Sequence, residues 1–220
     1  MRLRHRVQRW RLSIAVLLML TLGWASCTTP EPTTTPLPPD VLLSDDFSTN
    51  NGTWTLFNTP EGAAYIQQGE LFLEDRGQSV GVYSQLVKGR WDNVVIGTRL
   101  RHVEGAQNNW MGVICRLQDE ENYYLFAISA DGYYLVLKTE DGLPTALVGP
   151  KPGDAVAPGL ETNTLEAHCE GERLSLFVNG EQLTSVEDTG FERGAIALFA
   201  DGIAGRQTTV AFDTLVIAKP

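Results

Sequence analysis

From Val41 onward apolar and polar residues alternate in short runs, and no long stretch repeats with the 3.6-residue period of a helix. Alternation with period two is the mark of a half-buried strand, because successive side chains point to opposite faces. Strands are expected at 41–47, 53–56, 70–74, 81–86, 93–103, 110–117, 122–129, 132–139, 163–170, 173–179, 194–200 and 208–218. Between them stand Asn51-Gly52, Asp131-Gly132, Asp141-Gly142, Asn179-Gly180 and Asp201-Gly202, residues that tolerate the positive φ of tight turns. The stretch 149–159 (GPKPGDAVAPG) is rich in proline and glycine and is expected to be a long crossing loop. Many short strands at regular spacing predict an all-β, two-sheet sandwich or jelly roll over residues 41–220.

The first forty residues follow another pattern. Residues 1–11 (MRLRHRVQRWR) are basic, residues 12–23 (LSIAVLLMLTLG) are apolar, and Trp24-Ala25-Ser26-Cys27 follows. A basic segment, a short apolar run and small residues before the cut make an export signal over 1–26. Ala25-Ser26-Cys27 resembles a lipobox, which implies that Cys27 is acylated and becomes the new N-terminus. Trp24 departs from the aliphatic residue usual in that motif, and an ordinary signal cut near Ala25, or an uncleaved anchor, is the other reading. Residues 28–39 (TTPEPTTTPLPP) have no apolar period, and their prolines favour extended conformations. Residues 27–40 are therefore a lipidated cysteine and a semi-rigid tether, which place the following domain outside the cell membrane.

Charge narrows the partners. The chain has 17 Lys+Arg and 27 Asp+Glu, for a net charge of −10. Five of the arginines, Arg2, Arg4, Arg6, Arg9 and Arg11, lie in the leader, so the remainder carries about −15. Such a surface repels phosphate, which argues against nucleic acid and against lying flat on anionic lipid; membrane contact is expected through the anchor alone. Besides Cys27 the chain holds only Cys115 and Cys169. Each shares parity with apolar neighbours (Met111 and Val113; Leu165 and Ala167), so both should point inward. A Cys115–Cys169 disulfide is expected in an oxidising compartment, the alternative being two separate buried thiols.

The segments NYYLFAISADGYYLVLK (Asn122–Lys138) and NTLEAHCEGERLSLFVNG (Asn163–Gly180) resemble successive hairpins of concanavalin-A-like, laminin-G-type jelly rolls of bacterial lipoproteins. There is a more distant likeness to keto-disaccharide hydrolase-type domains. Asp45-Asp46-Phe47 and Val210-Ala211-Phe212-Asp213 match the two ends of that fold, which implies that the first and last strands pair. The superfamily includes lectins, glucanases, other hydrolases and adhesion modules, so the fold alone does not name a function.

No nucleophile elbow, transition-metal spacing or phosphate-cradling glycine loop is present. His168 lies in parity with Glu166 and Glu170, on the solvent side of its strand. The glucanases of this fold align their carboxylates as E-x-D-x-E, and no such triplet occurs. Asp119-Glu120-Glu121 reads as a solvated turn, and Glu70, Glu74 and Asp75 flank a strand without another catalytic cue. Asp45, Asp46 and Asp213 would meet if the terminal strands pair, which makes a structural calcium the single cofactor candidate. Parity turns Trp110, Arg116, Tyr123, Tyr134 and Lys138 outward on three neighbouring strands. Flat rings with polar tips, flanked by donors, suit the faces and hydroxyls of sugars. The expected function is a non-catalytic module that binds a glycan or cell-surface polymer; a protein-interaction scaffold is the alternative, and a glycoside hydrolase the third.

Overall fold

The computed structural model describes residues 40–78, 81–203 and 205–220; the leader, Cys27 and the tether lie outside the described residues. Fifteen strands follow one another: β1 (Val41–Asp45), β2 (Phe57–Asn58), β3 (Gly62–Gln67), β4 (Glu70–Asp75), β5 (Val82–Gln85), β6 (Val94–Gly105), β7 (Trp110–Asp119), β8 (Asn122–Ile128), β9 (Tyr133–Glu140), β10 (Leu143–Pro152), β11 (Asn163–Glu170), β12 (Arg173–Val178), β13 (Glu181–Glu187), β14 (Ala195–Asp201) and β15 (Thr208–Ala218). They form two antiparallel sheets with no helix among the described residues. The larger runs β13-β12-β11-β6-β15-β4-β3-β2, with β1 added along β15; the smaller runs β10-β9-β8-β7-β14-β5.

The terminal strands pair as the resemblance implies, with Asp45 opposite Leu215. Four strands escape the sequence pattern: β3, β10, β13 and the two-residue β2, which follows the stretch 53–56, where a strand is expected and only an isolated bridge of Trp54 to Leu86 forms. β10 and β13 are the outer strands of their sheets, where one row of backbone groups needs no partner. An edge strand accepts proline and a polar surface, so β10 runs through Pro144, Pro150 and Pro152 into what reads as a loop. β3 is hidden because Gly62, Ala63 and Ala64 are all buried and do not alternate.

Between the sheets lies the main core, including Ile96, Leu100 and Phe212 from one sheet and Val113, Phe126 and Leu198 from the other. The Cys115 and Cys169 sulfurs are bonded, which ties β7 of the smaller sheet to β11 of the larger across this core. A second apolar layer covers the opposite face of the smaller sheet: Ile114, Leu117, Leu125, Ala127, Leu135, Ala195, Ala197 and Phe199 are each no more than 4% exposed. Tyr83, Trp110, Tyr123 and Leu137 border it. The smaller sheet is thus apolar on both sides, and its strands give no clean alternation of apolar and polar residues.

The cross-link spans 54 positions in sequence, and the loop-entropy relation assigns such a closure about 4 kcal/mol. Urea denaturation with and without reductant is expected to show a loss of that order, reproduced by the Cys115→Ser/Cys169→Ser double variant. A second prediction concerns His102 on β6, which is 2% exposed and has no hydrogen-bond partner for either ring nitrogen among the described residues. Burial pushes its pKa down. The unfolded chain therefore takes up a proton that the folded chain refuses, so stability should be complete above about pH 6.5 and decline below it. His102→Leu should flatten that decline and cost less than about 1 kcal/mol at neutral pH, since it removes an unpaired buried polar group.

Candidate ligand-binding site

Two local irregularities decide where the five expected binding residues point. In β7 one extra residue is inserted between Ile114 and Leu117, which lie opposite Ala197 and Ala195 of β14. Arg116 takes up the insertion with φ +54°. Gly194 marks the close approach, since a Cβ there would stand 2.1 Å from the Arg116 carbonyl carbon. In the β8–β9 hairpin, a two-residue Asp131-Gly132 turn would put Leu135 opposite Ile128. The connection instead holds Ala130-Asp131-Gly132, closed by the Ser129 N–H on the Tyr133 carbonyl at 2.9 Å, so Tyr134 faces Ile128. One residue reverses every side chain that follows.

The consequence corrects three of the five. Arg116 is buried: its Nη1 donates to the Phe191 carbonyl at 2.8 Å, and its Nη2 and Nε to the Asp92 carbonyl at 2.9 and 3.2 Å. Tyr134 points between the sheets and donates its hydroxyl to the Leu183 carbonyl of β13 at 3.2 Å. Lys138 also turns inward, 2.9 Å from Glu140, 3.7 Å from Asp188 and 5.4 Å from the Phe191 ring centre. The Tyr124 hydroxyl donates to Asp188, and the Phe191 N–H donates to that hydroxyl at 3.0 Å. Burial drives the Tyr124 pKa well above the usual tyrosine range. Burial also acts to raise Asp188, but hydrogen bonds from Tyr124 and Gly190 and the Lys138 charge outweigh it and hold the carboxyl low. Arg116, Tyr134 and Lys138 therefore fasten the second sheet and the 188–193 loop rather than a ligand.

Trp110 and Tyr123 do stand on the outer face, on opposite sides of the second apolar layer. Trp110 lies at the Ser129 end of β8, so six residues, or roughly 20 Å of strand, separate the two rings. What Trp110 joins is a strip across four neighbouring strands at one end of the smaller sheet: Asp201 of β14, Trp110 of β7, Ser129 after β8 and Tyr133 of β9. Asp201 is paired directly with Trp110. Tyr133 is 41% exposed. The Asp201 carboxyl accepts the Ile203 N–H at 3.0 Å, and its pKa is pushed up by burial and by the nearby charge of Asp75. Asp201 was hidden in the sequence because Asp201-Gly202 reads as a turn dipeptide.

The three acids considered for calcium do not form a cage. Asp45 accepts the Phe47 N–H at 2.9 Å on one oxygen and the Trp54 indole N–H at 3.0 Å on the other. Asp46 closes its own turn onto Ser48, and Asp213 lies 3.3 Å from Arg99. Of these three acids only Asp213 keeps a buried oxygen, Oδ1, without a partner among the described residues, and one oxygen beside a guanidinium does not meet the several ligands calcium needs. Among the described residues no three His, Cys, Asp or Glu side chains converge for a metal.

No protein-family model matches the chain, and no curated protein does so either. Solved structures match by shape. The carbohydrate-binding module CBM66 of Bacillus subtilis aligns with a TM-score of 0.54 at 16% identity, over 76% of this chain and 96% of that one. A beta-glucanase of Bacillus licheniformis aligns with 0.58 at 9% identity, over 81% and 98%. The domain has a two-sheet jelly-roll fold of the concanavalin-A-like type. A GH43 protein of Bacillus licheniformis aligns at 0.60 and 17% identity over 80% of this chain, which spans only 39% of that longer protein. At such identities the likeness carries the jelly-roll fold and not the occupant of any site.

Arg116→Ala would leave two carbonyls of the jelly roll unpaired in a buried place, and we expect it to cost about 2–4 kcal/mol in urea denaturation. A cost below about 1 kcal/mol would place the guanidinium in solvent after all.

Proposed function

We propose that this chain is an exported protein, lipid-anchored through Cys27, whose jelly roll binds a glycan without cleaving it. The observation that carries the proposal is the Asp201–Trp110–Ser129–Tyr133 strip, in which the Asp201 carboxyl lies beside an indole and an exposed phenol follows; the buried Ser129 hydroxyl donates to Asp131 and accepts the Tyr133 N–H at 3.1 Å, and so holds the turn between the rings. Rings stack on the apolar faces of sugars, and the Asp201 oxygen that the Ile203 N–H leaves free accepts a sugar hydroxyl. The fold is shared with a carbohydrate-binding module and with glycosidases, which supports a carbohydrate-related role.

Binding is favoured over hydrolysis by the state of the acids. A glycosidase holds one carboxyl with a raised pKa opposite a second that can also reach the substrate. Asp201 has the raised pKa, but its neighbour Asp75 is fully buried, with its oxygens accepting the Gly77 and Gly202 N–H groups at 2.9 and 2.7 Å. Glu70 pairs with Arg101 at 2.7 Å and Glu74 with Arg76 at 2.9 Å. Asp119 is held low by hydrogen bonds from Asn122 and Glu121, the opposite of what a general acid needs.

A glycan array probed with the full-length protein tests the reading. Trp110→Ala and Asp201→Asn are each expected to weaken binding by about tenfold or more, the loss of one ring or one charged hydrogen bond. Asp201→Asn should at the same time raise the melting temperature near neutral pH, because it removes a buried charge beside Asp75. Failure to bind any glycan, together with capture of a protein partner, would instead favour the scaffold reading.

A further inference from the structure

At the other end of the sandwich is a cleft of about 650 Å³, within the size range of small-molecule sites. Trp91 and Trp110 stand near opposite ends of β14: Trp91 bridges to Gly194, and Asp201 pairs with Trp110, so roughly 24 Å of strand lies between them. Trp91, Asp92, Asn93 and Glu170 line the cleft together with Leu42, Gly171, Lys219 and Pro220. It is separate from the strip, and its Trp91 packs against the margin of the main core.

The main chain beneath its indole is fixed: the Trp91 backbone N–H donates to the Gly194 carbonyl at 2.8 Å, and the Gly194 N–H returns a bond to the Trp91 carbonyl at 2.9 Å. The six-membered ring of Trp91 lies against Gly89, where a Cβ would come within 2.1 Å of the ring edge. Gly89 also has φ +104°, so the glycine is required twice. Around the ring the hydrogen-bonding groups are of both kinds. Asn93 Oδ1 accepts the Gly171 N–H at 2.6 Å, an arrangement that leaves the amide NH2 as a donor. Asp92 uses one oxygen on the Asn93 N–H at 2.8 Å, and Glu170 uses one on His168 Nδ1 at 3.2 Å, so each keeps an acceptor. Lys219 is exposed and adds an ammonium.

We propose that this cleft is a second saccharide site, which holds one neutral sugar unit with its apolar face on Trp91 and adjacent hydroxyls shared between Asn93 and the Asp92 and Glu170 carboxylates. A sugar hydroxyl both gives and accepts, which matches paired donors and acceptors; Leu42 and Pro220 are the apolar side chains that line the cleft beside the ring, and they suit the C–H surface of a sugar. Two carboxylates against one ammonium disfavour uronic acids. The proposal rests on the glycan-binding reading but names a different place and a narrower ligand.

The test is an NMR titration of the full-length protein with D-glucose, D-galactose, D-xylose and D-glucuronate, following the indole N–H signals assigned by Trp91→Phe and Trp110→Phe. We expect at least one neutral sugar to move the Trp91 signal and D-glucuronate to leave it in place. Glu170→Gln and Asn93→Ala, surface changes that spare the core, should each weaken that response by about fivefold or more. Movement of Trp110 alone would overturn this site while leaving the glycan-binding reading intact. No movement of either signal, with no glycan retained on the array, would overturn both. A Trp91 response that is unchanged in Glu170→Gln and Asn93→Ala would also overturn the proposal.

Discussion

The inserted residue at Arg116 is the constraint on which the rest of the smaller sheet depends. A strand reverses its side chains at every step, so one added residue exchanges inside and outside for everything beyond it. Before the insertion Cys115 points into the core and reaches Cys169; after it Leu117 joins Ile114 in the outer layer. Arg116 itself is left between, in the left-handed region, with a charge that cannot be buried unpaired. The carbonyls of Asp92 and Phe191 satisfy it. Those contacts hold the entry to β6 and the loop before β14 against the end of β7, and so position both the bonded sulfurs and the cleft beside Trp91.

Much of this fold is legible in the sequence. β11 and β15 begin and end where alternation and turn residues place them, and the pairing of the first and last strands follows from the resemblance of the chain's ends. The cysteines also follow, because Met111, Val113, Leu165 and Ala167 fix their parity against one buried layer. For Cys169 parity works because the larger sheet has one apolar side and one polar side; Cys115 follows because it precedes the insertion at Arg116 and keeps step with Met111 and Val113.

The facing of side chains in the smaller sheet is not legible, for the same reason applied in reverse. Tyr133-Tyr134-Leu135-Val136-Leu137 is apolar at every position, since both faces of the smaller sheet are buried. Hydrophobicity then carries no information about facing, and only hairpin geometry decides it. The three-residue loop at Ala130-Asp131-Gly132 and the bulge at Arg116 are set by backbone conformation, and a sequence containing Asp-Gly is compatible with loops of either length. Asp201 and Trp91 escape the sequence pattern on another count: Asp201 ends β14 and Trp91 forms an isolated bridge ahead of β6, and at such boundaries a turn residue and a candidate site residue look alike.

A sheet apolar on both faces leaves few places for chemistry. Its middle offers side chains that exclude water and backbone groups already paired to neighbouring strands, so a hydroxyl-rich ligand would lose its hydration there without recovering hydrogen bonds. The ends differ. There the strands run into loops, carboxyls such as Asp201 and Asp92 occur beside indoles, and backbone amides hold those carboxyls in fixed orientations. The physical division is between a middle that supplies stability and two ends that supply polarity. It explains why an aromatic platform spread along the strands, from Trp110 to Tyr123, gives way to two compact aromatic and acidic clusters, one at each end of β14.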